Sequence, residues 1–278
     1  MAISMTNVWR ERAPMREADT PLIDATRHGR LADVEALLSG GADVNEPKTD
    51  GSGATALLVA ASEGHAEVVS ALLGSGATVD SPWDGVTPLW LASRNGHAEV
   101  VSALLTAGAE VEPSSQEPGN EASKTTPLFA ACVTGHAEVV SVLVNAGASI
   151  DWSSPVDQAT PLMVACEQGH VEVFTLLLEA GAAVRQTDVN GRTAMTLACG
   201  RDHLCCVKLL SSYGATRTFS TPHGEVTAEE LATHTENEAI TAFLVESRLW
   251  STPLHHLRII SAARAREQLR GGADLHAA

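Results

Sequence analysis

The stretch that decides the fold runs Asp84-Gly85-Val86-Thr87-Pro88-Leu89-Trp90-Leu91-Ala92-Ser93-Arg94-Asn95-Gly96-His97-Ala98-Glu99-Val100-Val101-Ser102-Ala103-Leu104-Leu105-Thr106-Ala107-Gly108-Ala109. Thr87 is placed to cap a helix through its hydroxyl, and Pro88 at the first helical position has no amide hydrogen to lose. Leu89 and Ala92 then share one face at helical spacing. Gly96 stands where that helix must end in a left-handed residue, which glycine adopts without a Cβ penalty. His97 opens a second helix, with Glu99 in its first turn against the positive end of the helix dipole. Val100, Val101, Leu104 and Leu105 make a buried stripe, and Gly108 stops the helix. The unit reads as helix, turn, helix and an extended polar finger.

The same landmarks fill the chain. Thr followed by Pro or Ala recurs at Thr20-Pro21, Thr55-Ala56, Thr87-Pro88, Thr126-Pro127, Thr160-Pro161, Thr193-Ala194, Thr227-Ala228 and Thr252-Pro253, at spacings of 35, 32, 39, 34, 33, 34 and 25 residues. Gly-His follows nine residues after the Thr at Gly64-His65, Gly96-His97, Gly135-His136 and Gly169-His170. His203 keeps this phase after Asp202, and His28-Gly29 reads as a degenerate first copy. Gly41-Ala42, Gly76-Ala77, Gly108-Ala109, Gly147-Ala148, Gly181-Ala182, Gly214-Ala215 and Gly272-Ala273 close the units. Three landmarks held in phase make this a repeat architecture.

The unit resembles the ankyrin repeat, over residues 20–278. The resemblance implies an all-α fold: an ankyrin-repeat solenoid of stacked helix-turn-helix units with extended β-hairpin-like fingers, each repeat touching only its neighbours. Repeats would start near residues 20, 55, 87, 126, 160, 193, 227 and 252, after an N-terminal extension over 1–19 that is held only where Trp9 or Met15 meets the first repeat. There are departures from the family pattern. Its usual His after Pro-Leu stands only at His255, and Ile23, Leu58, Trp90, Phe129 and Met163 replace it elsewhere. The seventh copy, from Thr227 to Arg248, lacks both Gly landmarks, and the linker from Glu112 to Thr125 is longer than the others.

Composition narrows the function. The 278 residues are 44% hydrophobic but include only 5 Trp, 4 Phe and 1 Tyr, so the core must be built from Ala, Leu and Val. The 18 Lys and Arg against 34 Asp and Glu leave a net charge of −16, which argues against binding nucleic acid, where clustered cations must neutralise phosphate. No apolar run approaches the ~18 residues of a membrane span. The first twenty residues carry Arg10, Glu11, Arg12, Arg16, Glu17 and Asp19, so no signal peptide is expected. Five cysteines, an odd number, do not make a disulfide framework. The expectation is an intracellular monomer, cytoplasmic or nuclear, without metal or cofactor.

Chemical motifs are few. Gly51-Ser52-Gly53-Ala54-Thr55-Ala56 matches a dinucleotide fingerprint, but a polar turn precedes it where that chemistry needs a buried strand. His65-Ala66-Glu67, His97-Ala98-Glu99 and His136-Ala137-Glu138 match half of a zinc-deaminase site, yet the chain has no C-x-x-C to complete it. They are read as helix-start residues. Cys132, Cys166 and Cys199 each sit six residues after the repeat Thr and are read as small buried hydrophobes. Cys205-Cys206 is a vicinal pair on a second helix. Asp43-Val44-Asn45, with Leu37 ahead of it, resembles the site that an asparaginyl hydroxylase modifies in ankyrin repeats; the plainer reading is that Asn45 shapes its finger.

What remains is surface. The resemblance implies that partners are gripped by finger residues and by the two variable positions before each Gly-His, here Ser62-Glu63, Arg94-Asn95, Val133-Thr134 and Glu167-Gln168. Trp83 and Trp152 lie in fingers, where aromatic residues are suited to anchor an interface. The candidate partner-binding residues are therefore Trp83, Asp84, Trp90, Arg94, Asn95, Val133, Thr134, Trp152, Glu167 and Gln168. Residues 31–247 hold 8 basic against 28 acidic side chains, so the expected partner is a protein with a basic surface. The expected function is a non-catalytic protein-protein interaction scaffold. The alternative is the substrate-recognition subunit of an enzyme assembly such as a ubiquitin ligase. Some ankyrin proteins recruit the ligase through a C-terminal box, but Trp250 to Ala278 reads as an eighth repeat and leaves no room for one.

Overall fold

The computed structural model describes residues 19–49, 52–83, 85–112, 125–221 and 224–247. Two compact units, Met1–Ser123 and Lys124–Ala278, make up the chain. In the first, α1 (Pro21–Arg27), α3 (Ala56–Glu63) and α5 (Pro88–Asn95) are the first helices of three repeats, and α2 (Leu31–Ser39), α4 (Ala66–Gly74) and α6 (Ala98–Thr106) the second helices. The first helices pack on one another in sequence order, the second helices do the same, and each first helix packs on its own second helix. The second unit repeats this plan with α7 (Pro127–Thr134), α9 (Pro161–Gln168), α11 (Ala194–Gly200) and α13 (Ala228–His234) in one layer. Its other layer holds α8 (Ala137–Asn145), α10 (Val171–Glu179), α12 (Leu204–Ser212) and α14 (Glu238–Ser247). The eighth copy from Thr252, Trp9, Met15 and linker residues 113–124 lie outside the described residues.

Local chemistry sets each helix start. Thr20, Thr55, Thr87, Thr126, Thr160, Thr193 and Thr227 all sit in extended backbone with the hydroxyl accepting the amide three residues on. Each such cap stabilises by about 1 kcal/mol. Thr227 adds a reciprocal bond, its own amide donating to the Glu230 carboxylate at 2.8 Å. The first helices end in left-handed residues, Gly64 at φ 83°, Gly96 at 85°, Gly135 at 85° and Gly169 at 75°.

The core between the layers is small-residue and close-packed. In the first six copies the position six after the capping Thr holds Thr26, Ala61, Ser93, Cys132, Cys166 and Cys199, every one with 0% exposure, whereas Thr233 of the seventh is exposed. The cysteines thus take the role expected of them, and burial pushes the Cys132 thiol up and that of Cys199 up to about 12. The adjacent pair on α12 divides: Cys205 is exposed and Cys206 is buried. A hydrogen bond between Cys206 and Cys166 lowers the Cys206 thiol and holds Cys166 well up, with burial adding to the latter.

The first copy is out of the expected phase. His28 ends α1 in an ordinary conformation, Gly29 takes the left-handed place at φ 64°, and Arg30 stands where later repeats have His. The Arg30 amide donates to Ala25 O at 3.0 Å, as His97 does to Ala92 O at 2.9 Å, so the landmark is Gly29-Arg30. In the sixth and seventh copies Asp202 (φ 62°) and Glu236 (φ 57°) hold the left-handed place without being glycine.

The fingers are β-hairpin-like. β1 (Thr218–Thr221) and β2 (Gly224–Thr227) form an antiparallel hairpin, while Trp83 and Val86 make a single bridge with two bonds of 2.9 Å. Others close on backbone bonds such as those from Lys48 N to Ala54 O at 2.9 Å and from Ser154 N to Ala159 O at 3.0 Å. The Gly53-Ala54 fingerprint lies in such a finger and feeds the Thr55 cap, with no strand before it among the described residues.

Candidate partner-binding surface

Two sets of side chains tie neighbouring repeats together. The first is the Gly-His histidine. His65 Nε2 donates to Arg27 O at 3.1 Å and His97 Nε2 to Ser62 O at 3.1 Å in the first unit. In the second, His170 donates to Val133 O at 3.2 Å and His203 to Glu167 O at 3.3 Å. A carbonyl can only accept, so Nε2 carries the proton in each case. The accepting residue is always the first of the two variable positions of the preceding repeat. Its backbone is committed to stacking, and the Arg27 and Glu167 side chains add ion pairs to Glu63 and Arg201 of the next repeat.

The second set lies at the base of the fingers. Asn45 accepts the Thr78 amide at 2.8 Å and donates to Gly76 O at 3.3 Å. Asp80 accepts the Glu110 amide at 3.1 Å, and Asp151 the Ala183 amide at 2.8 Å. The Asn45 side chain therefore binds the next repeat, while its own amide donates to Asp43 Oδ1 at 2.9 Å.

The candidate residues fall into distinct environments. In the first unit Trp90 is only 7% exposed and serves as a floor: the Arg94 guanidinium carbon lies 5.7 Å from its ring centroid. Trp90 is buried beside Leu89 on α5 and lies beneath Arg94. Asn95 is exposed, and its Nδ2 donates to Ser62 O at 2.9 Å. Trp83 is half-buried at the bridge that leads into α5, and Asp84 lies outside the described residues.

In the second unit Trp152 is half-buried, packed edge-on against Phe129 of its own repeat at 5.3 Å between centroids and 71° between planes. Val133 is half-buried, and Thr134 is exposed with its hydroxyl turned back to Ala130 O at 3.0 Å. Glu167 accepts Arg201 Nη2 at 2.6 Å, and Gln168 is exposed. Sequence reasoning missed Val156 and Val189, 58% and 54% exposed. Their fingers are joined by the bond from Val189 N to Asp157 O at 3.0 Å. It also missed the turn that presents Val189, where Asp188 accepts the amides of Asn190 and Arg192 at 2.9 and 2.7 Å. The Asp188-Val189-Asn190-Gly191 sequence carried that signal.

No group of His, Cys, Asp and Glu fit to hold a metal occurs among the described residues. None of their helices is long and apolar enough to cross a membrane.

Comparison with known proteins agrees with this architecture. The family model described as ankyrin repeats (3 copies) matches residues 22–116 and 111–188. A 61-residue stretch is 43% identical to ankyrin repeat domain-containing protein 17 of Mus musculus, covering 22% of this chain but 2% of that protein. Among solved structures, the human ASB11 ankyrin repeat domain is similar with a TM-score of 0.71 and 29% identity, over 82% of this chain and 97% of that one. The ankyrin repeat domain of Bcl-3, a member of the IkappaB family, is similar with a TM-score of 0.67 and 27% identity, over 82% and 98%. Ankyrin repeats are protein-protein interaction modules. With the family model spanning well over half its length, the chain belongs to the ankyrin-repeat family.

Proposed function

We propose that this chain is a non-catalytic scaffold that binds a partner protein with a basic surface, through finger residues and the side chains just before the Gly-His landmarks. The observation that supports it most is the division of labour at those positions. The carbonyls of Ser62, Val133 and Glu167 hold the stack, which leaves recognition to side chains at these positions that are not themselves tied to the next repeat, as Val133 and the exposed Gln168. The charge of −20 over residues 31–247 supplies attraction. Such steering raises the association rate more than the lifetime of the complex, and it is screened over ~8 Å at physiological salt. On this reading the chain acts as a monomer.

The test is binding kinetics against a basic protein surface captured as partner, at low and high salt. Association is expected to slow several-fold with salt, and Trp83→Ala to speed dissociation. An association rate indifferent to salt, or a partner whose contacting surface is acidic, removes the electrostatic part of this reading.

A further inference from the structure

The cations of this chain are scarce, and nearly all are spoken for. Among the described residues, Arg27 pairs with Asp19, Arg30 with Asp24, Arg192 with Asp188, Arg201 with Glu167 and Arg217 with Glu229. Lys48 pairs with Asp19. Lys208 lies over the Phe243 ring, and Arg185 donates to Gly214 O at 3.4 Å. Arg94 and Lys208 are both half-buried over an aromatic ring at 5.7 Å, with no ion pair among the described residues. Of the two only Arg94, in the last turn of α5, occupies a variable position before a Gly-His landmark, where burial is the sole cause of its lowered pKa.

That isolation is unexpected where acids outnumber bases by 34 to 18. A half-buried guanidinium has lost water without gaining a counter-charge, and burial alone pushes its pKa below the ordinary value. An Arg laid on an aromatic face is also restrained before any ligand arrives, so it loses less freedom on pairing than a solvated Lys would. The group is a poor stabiliser of the fold and a good receptor for a planar anion.

We infer that Arg94, held on Trp90, is the receptor for an Asp or Glu carboxylate in the bound segment of the partner protein. This rests on the scaffold reading above and adds a fixed acidic residue to an otherwise basic ligand. The surrounding acidic surface repels carboxylates everywhere else, so a lone acid in the ligand sets its register against α5.

The test selects displayed random peptides of about twelve residues on the wild-type chain, then measures the synthesised winners. The expected winners carry Asp or Glu at one fixed position. Replacing that acid by Ala is expected to weaken binding to the wild-type chain roughly ten- to a hundredfold, the worth of a charge-assisted hydrogen bond. Arg94→Met is expected to lose as much, Arg94→Lys part of it, and Arg185→Met nothing. The Ala-substituted peptide needs no protein variant, so a poorly folded Arg94→Met cannot mask the result. Winners that bind without a fixed acid, or that tolerate its replacement, overturn the inference and leave the scaffold intact. A selection that enriches no peptide overturns both.

Discussion

A Cβ atom placed on Gly64 would lie 2.5 Å from Nδ1 of His97, a residue of the next repeat. The same ring donates from Nε2 to Ser62 O, so it cannot withdraw without breaking the bond that joins the two repeats. The pattern recurs with Gly135 and His170 at 2.6 Å and with Gly169 and His203 at 2.6 Å. The Gly-His landmark is therefore an agreement between successive repeats: each glycine makes room for the next histidine.

Two glycines separate this effect from backbone strain. Gly64 and Gly76 have nearly equal φ, 83° and 88°, but nothing lies within 4 Å of a Cβ on Gly76. Gly76→Ala is expected to cost only the left-handed penalty of about 1–2 kcal/mol. Gly64→Ala should cost about 1–3 kcal/mol more, from forcing the His97 ring aside. Urea denaturation of both variants measures this, and equal losses would deny the ring any role.

Asp202 offers the complementary experiment. It holds the left-handed place with a Cβ, and the next repeat presents Asn237 rather than His, its side chain bonded to Asp202 Oδ1. Asn237→His is expected to destabilise by about 1–3 kcal/mol through crowding. Combined with Asp202→Gly it should recover most of that loss, giving a favourable coupling in a double-mutant cycle. Additive effects would show that the two positions do not sense each other.

The Asp19 carboxylate carries a pH dependence. Burial works to raise its pKa, but hydrogen bonds and charge from Arg27 and Lys48 outweigh it and hold it below the ordinary 3.8. A depressed carboxyl contributes stability that is full above its unfolded value and is lost as pH falls through the folded one. Lys48 is 0% exposed in its side chain and sits 2.5 Å from Asp19. Asp19→Asn should thus cost about 3 kcal/mol at pH 7 by stranding that charge. The gap between variant and wild type should close below about pH 3.8, as denaturation at several pH values will report.

Thiol chemistry reads out the fold. Cys205 is exposed and the other four cysteines are buried. A thiol reagent is expected to label one cysteine quickly in the native chain and all five after unfolding. A reductant should leave the melting temperature unchanged. Rapid labelling of Cys132, Cys166 or Cys199 would contradict their place on the buried face of the first helices.

The repeat phase, the Thr caps and the glycine helix ends were all legible from residue order, because each depends on bonds that span three or four residues. The same local logic identified the cysteines at 132, 166 and 199 as core, since their phase matched Ala61 and Ser93. Local rules misplaced the first landmark: His28-Gly29 looked like a worn copy, whereas Arg30 fills the histidine's place once Gly29 is seen in its left-handed turn. Only the tertiary structure showed that His97 spends its ring on Ser62, 35 residues away, that Asn45 bonds Thr78, and that Trp90 lies beneath Arg94. Those contacts depend on how one repeat is laid against another. That distance and angle are set by the summed packing of many small side chains, and no short run of sequence encodes them.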